Sequence, residues 1–166
     1  EIIGPDLNLT GNALIGAAEG RDGMRLFLKA ENSASQNLLA LWPSFLVPDV
    51  RAYLGQAIEG GVMTEARYAL NLDPKSLAQA LSRQAIPDET VALDIAFRDG
   101  VIRVDKGLPR FIAMKGRVHV TGKTVGVELD HGLVELPEGK TLDVPTGSYR
   151  VPNTDICLLY TSDAAD

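Results

Sequence analysis

Two stretches decide what this chain can become. In VMTEARYALNL (Val62 to Leu72) the side chains alternate for eleven residues, with Val62, Thr64, Ala66, Tyr68, Leu70 and Leu72 on one side and Met63, Glu65, Arg67, Ala69 and Asn71 on the other. TVALDIAF (Thr90 to Phe97) sets Val91, Leu93, Ile95 and Phe97 against Thr90, Ala92, Asp94 and Ala96 in the same way. A repeat of two residues is that of a pleated strand, whose successive side chains point to opposite faces. Both segments therefore read as strands with one apolar face, and the rest of the chain has to pair with them.

The flanking sequence supplies partners. LNLTGNALI (Leu7 to Ile15) and MRLFLKA (Met24 to Ala30) form an expected hairpin around the turn signal GRDG, with Met24, Leu26, Leu28 and Ala30 on one face. RDG (Arg98 to Gly100) reads as a tight hairpin turn after which VIRV returns. From Phe111 onward FIAMKGRVHVTG, KTVGVELDHG, LVELPEG, KTLDVPTG and SYRV are short strand-like pieces punctuated by Gly or Pro, the pattern of consecutive antiparallel strands.

Two short helices interrupt the strands. Val47, Val50, Leu54 and Ile58 recur at spacings of 3, 4 and 4, with Pro48 in the first turn and Gly60-Gly61 as the expected stop. A helix of about ten residues is not stable alone, so its apolar stripe must pack, with Trp42 beside it as an anchor. DPKSLAQALS (Asp73 to Ser82) carries an N-cap Asp, a Pro at the first helical position, and Leu77 and Leu81 one turn apart. The expected fold is mainly β with two short α-helices, an antiparallel meander forming an open, curved sheet or groove segment.

With 45% hydrophobic and 23% charged residues the composition is that of a folded domain, and a net charge of −6 with no Lys or Arg cluster argues against nucleic acid as a partner. No apolar run approaches the roughly 20 residues of a membrane-spanning helix. The last ten residues, CLLYTSDAAD (Cys157 to Asp166), break the style of the chain and back-translate to a sequence resembling a transposon-end library adapter. The expectation is one β-rich segment over 1–156 and a non-native tail over 157–166. A clone from the source that continued through the same ten residues would overturn it.

Chemistry is sparse. His119 in RVHVTG and His131 beside Asp130 lie in strand or turn contexts without a Ser or Cys nucleophile motif, and two histidines without a spaced third ligand make no metal site. GRVHVTGKT misses the phosphate-loop pattern because Arg117 stands where its first Gly is required, and the glycines elsewhere lack a dinucleotide-binding arrangement. The expectation is a non-enzymatic protein without cofactor or metal. The apolar strand faces stay open to two readings: the core of a closed structure, or the lining of a groove.

The order of LWP, then VRAYLGQAIEGGVMTEARYAL, a short helix, FRDGVIRV, and LPRFIAMKGRVHVTGKTVGVELDHGLVELP resembles the AsmA-like periplasmic proteins of the YhdP type over residues 38–153. One departure is Tyr53, where the resemblance would place a Trp. What the resemblance implies is a segment of a long β-groove in a protein anchored to the inner membrane by an N-terminal helix that this segment lacks. Its implied role is movement of phospholipid between the inner and outer membranes and maintenance of the outer membrane. The residues expected to line the groove are Val91, Leu93, Ile95 and Phe97 with Tyr68, Leu70 and Leu72, and the expected partners are phospholipid acyl chains and neighbouring segments of the same chain. The rival expectation is a non-enzymatic β-scaffold or interaction module whose apolar faces are all internal core.

Overall fold

The computed structural model describes residues 2–4, 6–18, 21–37, 48–82, 84, 86–103, 105 and 107–152. Trp42, Val47 and the tail 157–166 lie outside them, as do the side chains of Val50 and Tyr53. The chain forms β1 (Ile2–Gly4), β2 (Leu7–Ala18), β3 (Arg21–Ala34), α1 (Pro48–Ala57), β4 (Ile58–Leu72), α2 (Pro74–Leu81), β5 (Val91–Ile102), β6 (Phe111–Thr121), β7 (Val125–Glu135), β8 (Thr141–Val144) and β9 (Gly147–Val151). The nine described strands form one antiparallel sheet, with β1 to β8 in sequence order and β9 off that path, paired to β7. It is an open sheet of mainly β architecture with short helices, as the alternation of apolar residues requires.

Two expected breaks are absent and a third is present. RDG does not turn the chain: β5 runs through it, and Asp99, at φ 54°, sits in a bulge where the pairing with β6 slips between Phe97 and Gly100. A hairpin turn and a bulge both want an Asp or Gly at positive φ, so one tripeptide serves either. DHG likewise lies inside β7, so KTVGVELDHG and LVEL form one strand. β8 and β9 keep a common register on β7, with Val144 opposite Gly132 and Gly147 opposite Leu129, and are one edge strand interrupted at Pro145, which has no N–H for the ladder.

The first helix ends earlier than its stripe predicts. Ile58 is the first residue of β4 and faces Ile102, because the carbonyl of Ala57 is taken by the Arg103 N–H at 2.8 Å and the backbone is drawn into the sheet. Gly60 and Gly61 are strand residues rather than a helix stop. Gly61 has φ 131°, and a Cβ there would come within 3.0 Å of Gly100 Cα, so the pair permits a close approach between β4 and β5.

α2 starts as its sequence dictates. The Asp73 carboxylate accepts from the Ser76 N–H at 2.7 Å, Pro74 opens the first turn, and Leu77 with Ala80 turn inward, whereas Leu81 is exposed. The Gly122-Lys123 turn joins β6 to β7 and docks on the 3₁₀ turn Asp88–Thr90. Gly122 N–H donates to the Asp88 carbonyl at 3.0 Å and Lys123 N–H to its carboxylate at 2.8 Å.

Candidate functional site

Among the described residues, the apolar face of the sheet is an extended surface of distinctive chemistry. Cross-strand register builds it: Met24, Leu26, Leu28 and Ala30 on β3 face Leu72, Leu70, Tyr68 and Ala66 on β4. Leu70, Tyr68 and Ala66 in turn face Val91, Leu93 and Ile95 on β5, and Leu93 and Ile95 face Val120 and Val118 on β6. β7 continues the rows with Val125 and Val127, and Val127 faces Tyr149 on the edge. A bulge at Thr64 keeps the pattern in phase, because Met63 rather than Thr64 then opposes Phe97. The strict alternation read from the sequence therefore breaks at that point, and Met63 is buried at 3% exposure.

All seven expected lining residues share this face, and they divide into two environments. Tyr68, Leu70, Leu72, Val91 and Leu93 are at most 7% exposed and join Ala80, Ile86 and Val120 in a core cluster, with Leu77 of α2 packed against it. Each buried Leu or Val is worth roughly 1.5–3 kcal/mol relative to exposure. Ile95 and Phe97 are only half-buried. The Phe97 ring lies close to two glycines: a Cβ added at Gly116 or Gly100 would meet it at 3.1 and 3.3 Å. Glycines at those two places leave room for the ring between β5 and β6.

Within the cluster the Tyr68 hydroxyl is buried and has no hydrogen-bond partner among the described residues, and burial pushes its pKa far above that of a free phenol. The helix residues fare unevenly. Leu54 is half-buried in α1, which abuts β4, and Ile58 is half-buried in the sheet itself. Ile86 completes the cover of the buried end, and a sequence reading overlooks it because a single apolar residue before Pro87 has no periodicity to reveal it.

The opposite face is polar and carries paired charges. Lys29 lies 2.5 Å from Glu31, Arg67 2.7 Å from Glu65, and His119 Nδ1 2.6 Å from Asp94 Oδ1. His131 stands 3.6 Å from Asp143, on the neighbouring strand, rather than beside a catalytic Asp130. A trough of about 660 Å³ crosses β4 to β9 here, bordered by Arg67, Asp94, Arg117, His119, Glu128 and Arg150. Ser148 lies on the same trough while the His119 ring bonds Asp94, and among the described residues no three His, Cys, Asp or Glu side chains could share a metal ion. No described helix is long and apolar enough to cross a membrane.

At the end of β5 a second polar group ties distant strands together. Arg110 binds Glu135 of β7 at 2.7 Å and Glu59 of β4 at 3.2 Å, and Arg103 binds Glu59 at 2.7 Å. Hydrogen bonds from the arginines hold the Glu59 and Glu135 carboxyls below the usual range. These half-exposed contacts fasten the bulged end of the sheet. Comparison with protein-family models, with curated proteins and with solved structures finds no match for this chain.

Proposed function

We propose that this chain is a segment of an AsmA-like protein of the periplasm, anchored to the inner membrane elsewhere in a longer polypeptide, whose apolar sheet face guides phospholipid acyl chains between the two membranes. The observation that carries the reading is one apolar face continued by register from β3 to β9 in a sheet that does not close. The stretch of that face able to meet a lipid lies beyond α2, where Ile95, Phe97, Val118, Val127 and Leu129 are half-buried. Acyl chains gain about 0.8 kcal/mol for each CH₂ removed from water, so a continuous apolar floor lets them slide without any catalytic group. Direction and energy come from outside the segment.

A second reading is favoured by a specific observation: five of the seven candidate lining residues are at most 7% exposed, as core residues of a scaffold would be. A photoreactive residue at Phe97, at Ala96 on the polar face, or at Leu70 in the core, irradiated with phospholipid vesicles, separates the two. Lipid adducts at Phe97 alone support the groove. Adducts at none of the three, with crosslinks only inside the protein, leave the scaffold.

A further inference from the structure

On the polar face the cross-strand register lays two rows of side chains next to each other. One runs Arg67, Asp94, His119, Gly126 and Arg150 from β4 to β9, and the next runs Arg117, Glu128 and Ser148 across β6, β7 and β9. The charges in these rows divide by partnership. Arg67 is paired with Glu65 at 2.7 Å, and the His119 ring holds Asp94 at 2.6 Å. Arg117, Arg150 and Glu128 border the same trough and make no ion pair or side-chain hydrogen bond with another described residue. The trough therefore keeps two uncommitted cations and one uncommitted anion.

Gly126 is the gap in the first row. A Cβ there would have its nearest neighbour at 3.9 Å, so the space above β7 is open between His119 and Arg150. Arg150 stands beside that gap and Arg117 one row away on the other side of β7. Their Cα atoms are two strand spacings and two residues apart, roughly 12 Å, which lets both side chains reach one group held above the gap. A guanidinium stays charged at any working pH and presents a planar fork of N–H donors that matches phosphate oxygens. Two such forks suit a dianionic phosphate better than a singly charged carboxylate.

The remainder of the trough restricts what that phosphate is attached to. Its volume of about 660 Å³ is that of a small-molecule site rather than of a lone ion. Glu128 repels a bare anion but accepts hydrogen bonds, and the Ser148 hydroxyl opposite it donates or accepts one. Both serve hydroxyl groups. Because the trough lies on the face of the sheet, a further strand beyond β9 would lengthen it without filling it.

We infer that this trough binds a phosphate ester of a hydroxyl-bearing small molecule, a sugar phosphate in class, with Arg117 and Arg150 on the phosphate and Glu128 and Ser148 on the hydroxyls. It lies opposite the apolar face, and the inference does not depend on acyl chains binding there.

Titration of the whole ¹⁵N-labelled chain with glucose 6-phosphate at low salt, followed by amide chemical shifts, tests it. Saturable shifts are expected at Gly126, Glu128 and Arg150 with a Kd of about 1 mM or below. Glucose and inorganic phosphate are each expected to bind about tenfold more weakly or worse, since each lacks half of the contacts. Arg117→Gln and Arg150→Gln are each expected to weaken binding about tenfold or more, the loss of a charge-assisted hydrogen bond. Gly126→Val fills the gap without changing a charge and is expected to do the same, whereas Arg25→Gln, on β3 beside Asn71 and away from the trough, is expected to change nothing. Unshifted amides at Leu70 and Leu93 show that each variant keeps its core. No saturable shift up to about 10 mM, glucose or inorganic phosphate binding as tightly as the ester, full binding by either trough arginine variant or by Gly126→Val, or an equal loss in Arg25→Gln each overturns the inference.

Discussion

Tyr68 is the residue where burial and bonding disagree. Its ring belongs to the core cluster at 7% exposure, yet its hydroxyl has given up water without gaining a partner among the described residues. Deleting a buried hydroxyl that makes no hydrogen bond removes a desolvation cost and little else. Tyr68→Phe is therefore expected to leave stability unchanged or raise it by up to about 1 kcal/mol in urea unfolding, whereas Leu70→Ala, beside it, is expected to cost about 2–5 kcal/mol. A Tyr68→Phe variant destabilised by more than about 1 kcal/mol would mean that the hydroxyl does find a partner. Carboxylates elsewhere set the response to acid. Asp88 is held low by the Thr121 hydroxyl and the Lys123 N–H, Glu135 by Arg110, Glu59 by Arg103, and Asp73 by the Ser76 N–H. Each has a folded pKa below its unfolded value of about 4, so its contribution is complete above that value and disappears as pH falls through the folded one. The urea midpoint is expected to be flat between about pH 5.5 and 8 and to drop below about pH 4; an unchanged midpoint at pH 3 would remove these carboxylates from the account.

At the scale of elements, β5 and its bulge carry the most specific demands. Gly116 lies under the Phe97 ring, and a Cβ there would stand 2.2 Å from the Glu128 carbonyl oxygen and 3.1 Å from the ring. That oxygen is backbone of the adjacent β7 and cannot swing aside, so Gly116→Ala is expected to cost about 1–3 kcal/mol or more. Gly126→Ala, whose Cβ would have its nearest neighbour at 3.9 Å, is the control expected to change little. Equal unfolding midpoints for the two variants would count against this packing of β5, β6 and β7. The same elements show what the sequence discloses. The faces of β3, β4 and β5 were legible because a two-residue period survives any choice of neighbour, and α2 was legible because its cap is local chemistry. RDG and DHG were not legible as strand interior, because turns and bulges ask for the same small or φ-positive residues and only the pairing partner distinguishes them. The end of α1 was hidden for a related reason: a long-range bond from Arg103 to the Ala57 carbonyl decides it, against a local stripe that continues to Ile58. Of the candidate site, membership of one face could be read, but its division into a covered and an uncovered part could not, since alternation does not say which helix or loop lies above a strand.

Across the whole molecule, the sheet is unevenly supported. β4 and β5 hold most of the buried side chains of both apolar clusters and are flanked on both sides by long strands, and α2 with Ile86 covers one end of them. β1 has three residues, and β8 and β9 have four and five; among the described residues all three pair on one side only, and the side chains of β8 and β9 are largely exposed. Local opening free energy follows buried apolar contact and protection of backbone hydrogen bonds, so a sheet of this kind opens from its margins inward. Native-state hydrogen exchange is expected to give the slowest amides at Ala66 to Leu70 and Val91 to Ile95, with rates set by global unfolding, and exchange at least a hundredfold faster in β1, β8 and β9. β2 is the informative strand. Its residues 10–15 should exchange faster than their β3 partners at 24–29, because among the described residues only one side of that length is bonded. A uniform rate across all strands would instead describe a sheet that opens as one unit, with no separate margin for a lipid to engage.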